Sequence, residues 1–175
     1  MTEKQGKIVE AALQLFAREG YASTSTSRVA KLAGVSEALI FRHFGTKDGL
    51  LKAVIKMGEE RARALYADIV METDPKVILR KTLEIPVQIK EDPRAVEFWK
   101  LQYKIKWEME EYGADKMEPL ELALTNAFTK LGYENPGQET QHILIIIDGL
   151  AMRFYLQNDF ELELQLSLIK KKYGL

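Results

Sequence analysis

The 175-residue chain has no cysteine and only two histidines, His43 and His142. Disulfides, thiolate zinc sites and thiol nucleophiles are therefore excluded, and with two imidazoles metal and Ser-His-Asp chemistry have little material. No window approaches the ~18 uncharged apolar residues that a membrane span requires, and the opening Met-Thr-Glu-Lys-Gln-Gly-Lys has no apolar secretory core. A cytoplasmic chain without membrane contact is expected. Internal repeats and low-complexity runs are absent, and Lys170-Lys171-Lys172 is too short for a nucleic-acid-binding tail. What remains, 46% hydrophobic and 29% charged residues, is the composition of a globular chain, with room for one large or two small domains.

Charge of one sign is also lacking overall, with 25 basic residues against 26 acidic ones. The average hides an asymmetry. Residues 1–52 carry eight basic and five acidic side chains, a net of +3, and the remaining 123 residues carry −4. A basic first third on an acidic remainder favours a polyanion at one end.

Helical periodicity dominates. Ile8, Ala11, Ala12, Leu15 and Phe16 form a core-facing stripe, and Gly20 supplies its stop. Ser25 or Thr24 can cap a short second helix that turns Val29, Ala30 and Ala33 inward and ends at Gly34. Ser36 caps a third helix of about two turns, Glu37 to His43, before Phe44-Gly45-Thr46 breaks it. Thr46 then caps a long helix, about 47–70, with Asp48 in its first turn.

Further helices are expected at 76–90, with a possible kink at Pro86, and at 94–112, 116–131 and 138–157. The end is ambiguous, because Phe160, Leu162, Leu164, Leu166 and Leu168 alternate like a half-buried strand. Leu162, Leu166, Ile169 and Tyr173 also fit one helical face, and Leu, Glu and Gln favour helix, so helix is the preferred reading. A strand pairing between two chains is the alternative.

The second and third helices, joined through Ala33-Gly34-Val35, make a helix-turn-helix, whose second helix is the one that enters the DNA major groove. Here the residues become specific. Ala11-Ala12-Leu13-Gln14-Leu15-Phe16-Ala17-Arg18-Glu19-Gly20-Tyr21, Thr24-Ser25-Thr26, Val29-Ala30-Lys31-Leu32-Ala33-Gly34-Val35-Ser36, Phe41-Arg42-His43-Phe44 and Lys47-Asp48-Gly49-Leu50-Leu51 together resemble the TetR family of bacterial transcriptional regulators. The resemblance runs without a gap over about residues 6–55.

It implies an all-α protein with a three-helix helix-turn-helix DNA-binding domain, residues 1–48, and a helical ligand-binding and dimerisation domain, residues 49–175. The implied partners are double-stranded operator DNA, a small-molecule effector and a second copy of the chain. The implied function is that of a repressor without catalytic activity, released from its operator by an apolar or aromatic compound. A DNA-binding architectural protein of the same fold, regulated by a protein partner, is the alternative. No catalytic residue, metal ligand or cofactor site is assigned.

The DNA-binding candidates are Thr26, Arg28, Ser36, Glu37, Ala38, Phe41, Arg42, His43 and Lys47. Thr26 and Lys47 stand at helix starts, where N–H groups and charge meet phosphate. Arg42 can read guanine or bind phosphate, Glu37 can accept from cytosine, and Ala38 and Leu39 can touch a thymine methyl. Ala38 stands where the family usually has glycine, and Phe41 where it usually has tyrosine, so the aromatic has no hydroxyl to offer phosphate. Leu39 occupies an often polar position.

In the second domain Trp99, Tyr103 and Trp107 recur at i, i+4 and i+8. Such a stripe is either core or the wall of a ligand cavity. With Met109, Phe128, Met152 and Tyr155 they form the candidate pocket. Helices 116–131 and 138–157 are expected to form a four-helix bundle with their mates through Leu120, Leu124, Ile143, Ile146, Ile147, Leu150 and Phe154, because the run Ile143 to Ile147 is apolar all round. Glu108, Glu110, Glu111 and Asp115 read as a solvated acidic rim.

Overall fold

The computed structural model describes residues 1–109 and 117–175, with Met109 described by its backbone alone. All regular structure among them is helical: α1 (Glu3–Glu19), α2 (Thr26–Ala33), α3 (Glu37–Phe44), α4 (Lys47–Val70), α5 (Pro75–Glu91), α6 (Pro93–Met109), α7 (Glu118–Lys130), α8 (Pro136–Leu156) and α9 (Leu162–Lys172). These fall into two compact units.

The first unit holds α1 to α3, the part of α4 up to Ala62, and α6. Local chemistry sets its helix starts. Thr2 and Gln5 form a capping box on α1, and Ser25 Oγ accepts from Arg28 N at the start of α2. Thr46 Oγ1 accepts from Gly49 N as α4 begins. Thr24, the other cap candidate for α2, is buried instead and donates to the Gly20 carbonyl at 2.8 Å. The core combines Ile8, Leu13, Phe16, Val29, Ile40, Leu50 and Val54 with Phe98 and Leu101 of α6.

That last pair was not foreseen. The sequence boundary at 48/49 assigns α6 to the second domain, whereas packing divides the chain within α4, between Ala62 and Arg63, and returns α6 to the first unit. The reason is a close approach at Gly58, where an added Cβ would lie 1.7 Å from the Phe98 ring. Polar contacts reinforce it. Lys104 Nζ donates to the Ala17 carbonyl at 2.5 Å and to that of Arg18 at 3.2 Å, closing the C-terminal end of α1, and Arg18 pairs with Glu97 at 3.1 Å.

In the second unit α5, α7, α8 and α9 join the rest of α4 around Leu79, Leu83, Leu120, Leu124, Phe128, Ile143 and Leu162. The Thr125 and Thr140 hydroxyls bond at 3.0 Å between α7 and α8. Lys170–Glu84 and Lys90–Glu163, both 2.6 Å, tie α9 to α5.

The final segment is helix rather than strand. Its alternation is resolved by rotation: Leu162 and Leu166 point inward, while Leu164 and Leu168 are exposed. A 100° step places every second leucine of such a run on an opposite side.

Candidate nucleic-acid interface

The helix-turn-helix is built from α2 and α3, steadied by α1 and the start of α4. Ile40 is fully buried and anchors α3, and Leu39 and Phe44 pack partly against the same core. Ala38, Phe41 and Arg42, at i, i+3 and i+4, are left on the solvent face, with Phe41 46% exposed. Ser36 is exposed at the N-cap of α3 and makes no side-chain capping bond there.

Several candidates are already engaged. Thr26 Oγ1 donates to Glu37 Oε1 at 2.5 Å, tying the start of α2 to the start of α3. The Thr26 hydroxyl proton is thereby directed at a carboxylate rather than at phosphate, and one Glu37 oxygen is occupied. Arg28 forks onto Glu19, with Nη2 to Oε1 at 2.6 Å and Nη1 to Oε2 as the second arm. His43 is half-buried, with Nδ1 3.5 Å from Gln5 Nε2 on α1 and its ring edge-on to Phe44.

Lys47 reaches back from α4, donating to the Ala22 carbonyl at 3.3 Å with its ammonium 4.3 Å from the centroid of the Tyr21 ring. Tyr21 in turn donates from its hydroxyl to Asp48 Oδ1. Burial first, and then the bond and charge of Asp48, push the Tyr21 phenol up to about 12. The cluster of Tyr21, Lys47 and Asp48 fastens the α1–α2 turn to the first turn of α4. Sequence reasoning named Lys47 as a phosphate ligand but gave no role to Tyr21, whose only signal was its place after Gly20.

Gly49, in the same turn, has no space for a side chain, since an added Cβ would lie 2.0 Å from the Phe44 carbonyl oxygen. The end of α3 is thus pressed against the start of α4. The solvent face of α3 carries apolar groups, Ala38 and Phe41, and one cationic group, Arg42. Those are the two characters that base edges and phosphates recognise.

The other candidates separate. Trp99 and Tyr103 are half-buried on α6 in the first unit, and Trp107 is 77% exposed. Phe128, Met152 and Tyr155 lie in the second unit, where Phe128 is fully buried against the Tyr133 and Tyr173 rings. The Met109 side chain, Tyr112 and the acidic residues Glu110, Glu111 and Asp115 lie outside the described residues. A cavity of about 200 Å³ in the second unit is lined by Ala64, Leu65, Asp68, Ile69, Lys81 and Gln88, with none of the named aromatics among them.

Elsewhere in the second unit burial raises both the Tyr66 and the Tyr155 phenols. For Tyr66 the charge of Asp148 and then Tyr155 add to it.

Of the dimer candidates, Leu120, Leu124, Ile143 and Leu150 are buried within the chain's own core; Ile146, Ile147 and Phe154 are half-buried. Outward apolar positions include Leu122 on α7 and Ile145 on α8, the latter 66% exposed. The apolar run has one buried side, with Ile143 and Leu144, and one exposed residue, Ile145. The one-residue helical step decides which isoleucine takes which side.

Residues 8–54 match the family model described as bacterial regulatory proteins, tetR family. The HTH-type transcriptional regulator YvkB of Bacillus subtilis is 47% identical over 49 residues, 28% of this chain and 26% of that protein. The HTH-type transcriptional repressor Rv3405c of Mycobacterium tuberculosis is 42% identical over 67 residues, 38% of this chain and 36% of that one. The matches thus span about a quarter to a third of these relatives. A transcriptional regulator from Saccharomonospora viridis, solved in complex with choline, superposes with a TM-score of 0.75 at 18% identity, over 99% of this chain and 96% of that one. At that identity the likeness is one of fold.

Proposed function

From the premise that this chain belongs, through its helix-turn-helix, to the TetR family of bacterial regulatory proteins, a family of DNA-binding transcriptional regulators rather than enzymes, we propose that it is a homodimeric repressor of transcription. In this reading α3 enters the major groove of operator DNA, and a small molecule bound in the domain of residues 49–175 weakens that binding. The observation that carries it is the solvent face of α3, with Phe41 and Arg42 outward on a helix fixed by buried Ile40. The contacts fall within residues 1–48. Arg42 and Ser36 meet bases or backbone, while the first-turn N–H groups of α2 and the ammonium of Lys47 meet phosphate.

The second copy is proposed to cover the outward faces of α7 and α8. Leu122 and Ile145 are exposed apolar side chains there, and an added Cβ at Gly149 meets nothing within 4 Å, so a partner helix can approach closely. The buried phenols of Tyr66 and Tyr155 are the proposed polar anchors for an effector, with Met152, on α8 with Tyr155, as an adaptable wall. The choline-bound S. viridis regulator supports a small-molecule role for this fold. A coupling of ~1–3 kcal/mol between effector and DNA gives about a 5- to 150-fold change in operator affinity. Among its crossings between the units, the chain passes within α4 and again just before α6, and these passages are proposed as carriers of that coupling. No described helix is long and apolar enough to cross a membrane, and the proposed place of action is the cytoplasm, where the DNA is.

The test is an electrophoretic shift of the duplex upstream of the chain's own gene at low salt. Retention as a dimer-sized complex, weakened on adding salt, is the expected result. No retention of this duplex or of duplexes selected from a random pool would remove the reading.

A further inference from the structure

The recognition face is short of polar groups, and this points to what it reads. Among the described residues, Glu37 accepts from Thr26 at 2.5 Å, which ties down the one carboxylate of α3. Leu39, an apparent apolar reader in the sequence, packs partly against the core. His43 faces Gln5 of α1 through Nδ1. Outward-facing groups are then the guanidinium of Arg42, the hydroxyl of Ser36, the methyl of Ala38 and the 46%-exposed phenyl of Phe41.

A phenyl ring has no hydrogen bond to offer phosphate or a base edge, and it gains only where apolar surface covers it. In the major groove of B-DNA the base edges offer one apolar group, the C5-methyl of thymine. Ala38 lies about one helical turn, ~5 Å, before Phe41 and Arg42, which matches one to two base-pair steps at ~3.4 Å each.

We propose that this protein recognises its operator through thymine methyl groups, with Phe41 and Ala38 as specificity-determining residues. Each half-site then carries one or two thymines touched by these side chains, next to a guanine read by Arg42. The proposal rests on the DNA-binding reading above and adds to it the base identity at the centre of the contact.

The experiment replaces thymines by deoxyuridine, one at a time, in a duplex selected by the full-length protein from a random pool. Affinity is measured by fluorescence anisotropy at fixed salt. Deoxyuridine removes the methyl and leaves every hydrogen-bonding group in place. One or two positions per half-site are expected to lose about four-fold in affinity, the weight of one buried methylene.

In Phe41→Ala the ratio of thymine to uracil affinity at the Phe41-contacted position should fall to one. The salt slope should stay unchanged, since no phosphate contact is lost. Ala38→Gly should do the same at the neighbouring position, and circular dichroism checks that each variant is folded. Equal affinity for thymine and uracil at every position overturns the proposal while leaving the DNA-binding reading intact. Undiminished discrimination in folded Phe41→Ala and Ala38→Gly also overturns it. Failure to bind any duplex removes the underlying reading as well.

Discussion

The two compact units differ in how their chemistry is distributed. In the first, polar side chains act mainly on backbone and on one another at helix ends: Ser25 and Thr46 cap α2 and α4, Thr26 bonds Glu37, and Lys104 closes α1. In the second, ion pairs such as Lys90–Glu163 and Lys170–Glu84 join one helix to another, and Leu122 and Ile145 are exposed on the neighbouring helices α7 and α8. The first unit is organised to hold one short helix at a fixed angle. The second holds a helical body with uncovered apolar faces. On the proposed function, the first must hold fixed geometry against a rigid duplex and the second must offer surface to bury against a copy of itself.

The sharpest way to break this comparison is at Gly58. Gly58→Ala drives a methyl group into the buried Phe98 ring, so the first unit should lose the ~1–3 kcal/mol typical of overpacking, at the upper end of that range. Thermal unfolding followed by circular dichroism checks this, and Phe98→Leu in the same chain should restore part of the loss. A variant that melts like the parent would show that α6 is not held where its packing places it.

Ile145→Lys tests the open face of the second unit, with analytical ultracentrifugation as the readout. A shift from dimer to monomer with unchanged helix content is expected, because a lysine pair at a self-complementary contact repels. An unchanged dimer would move the interface elsewhere.

A smaller contrast compares two lysines. Lys104→Met removes a charged donor from the last carbonyls of α1 and should cost about 1 kcal/mol. Lys170→Met removes a partly exposed pair with Glu84 and should cost less, within the ~0–1 kcal/mol of surface ion pairs. Urea denaturation of both variants orders them, and the reverse order would undo the distinction between the units.

The smallest effect is one of pH. The Tyr21 phenol is raised from 10 to about 12, so the folded state favours its neutral form. The associated stability is fully present below pH 10 and is lost as pH rises through 10 towards 12. Tyr21→Phe should flatten part of that decline in urea titrations at pH 8, 10 and 11, and an identical profile would remove Tyr21 from the account.

Much of the first unit was legible in the chain because its signals are local. Gly34 and Ser36 mark the turn, Ile40 and Phe44 keep helical spacing from the core side, and the motif from Ala11 to Leu51 is continuous. What was not legible there was occupancy. Thr26, Arg28 and Lys47 were named from the motif, but their partners Glu37, Glu19 and Tyr21 lie 9 to 26 positions away, a distance at which no periodicity speaks.

In the second unit the helices were foreseen and their faces were not. Leu120, Leu124, Ile143 and Leu150 have the apolar character of an interface, yet the same character suits a core. Only the direction in which each helix meets its neighbours separates the two. Trp107 shows the converse, a large aromatic in a regular stripe that ends exposed because α6 turns Phe98 and Leu101 inward.

By itself, then, the sequence determined the all-helical class, the order of the helices, the helix-turn-helix and which residues crowd the recognition helix. These follow from periodicity, caps and turn residues, which act over one or two turns of chain. The tertiary structure alone decided that α6 joins the first unit, that Glu37 is tied to Thr26, and that Ile145 rather than Ile143 faces outward. They depend on contacts between segments distant in the chain, as where Gly58 leaves room for the Phe98 ring.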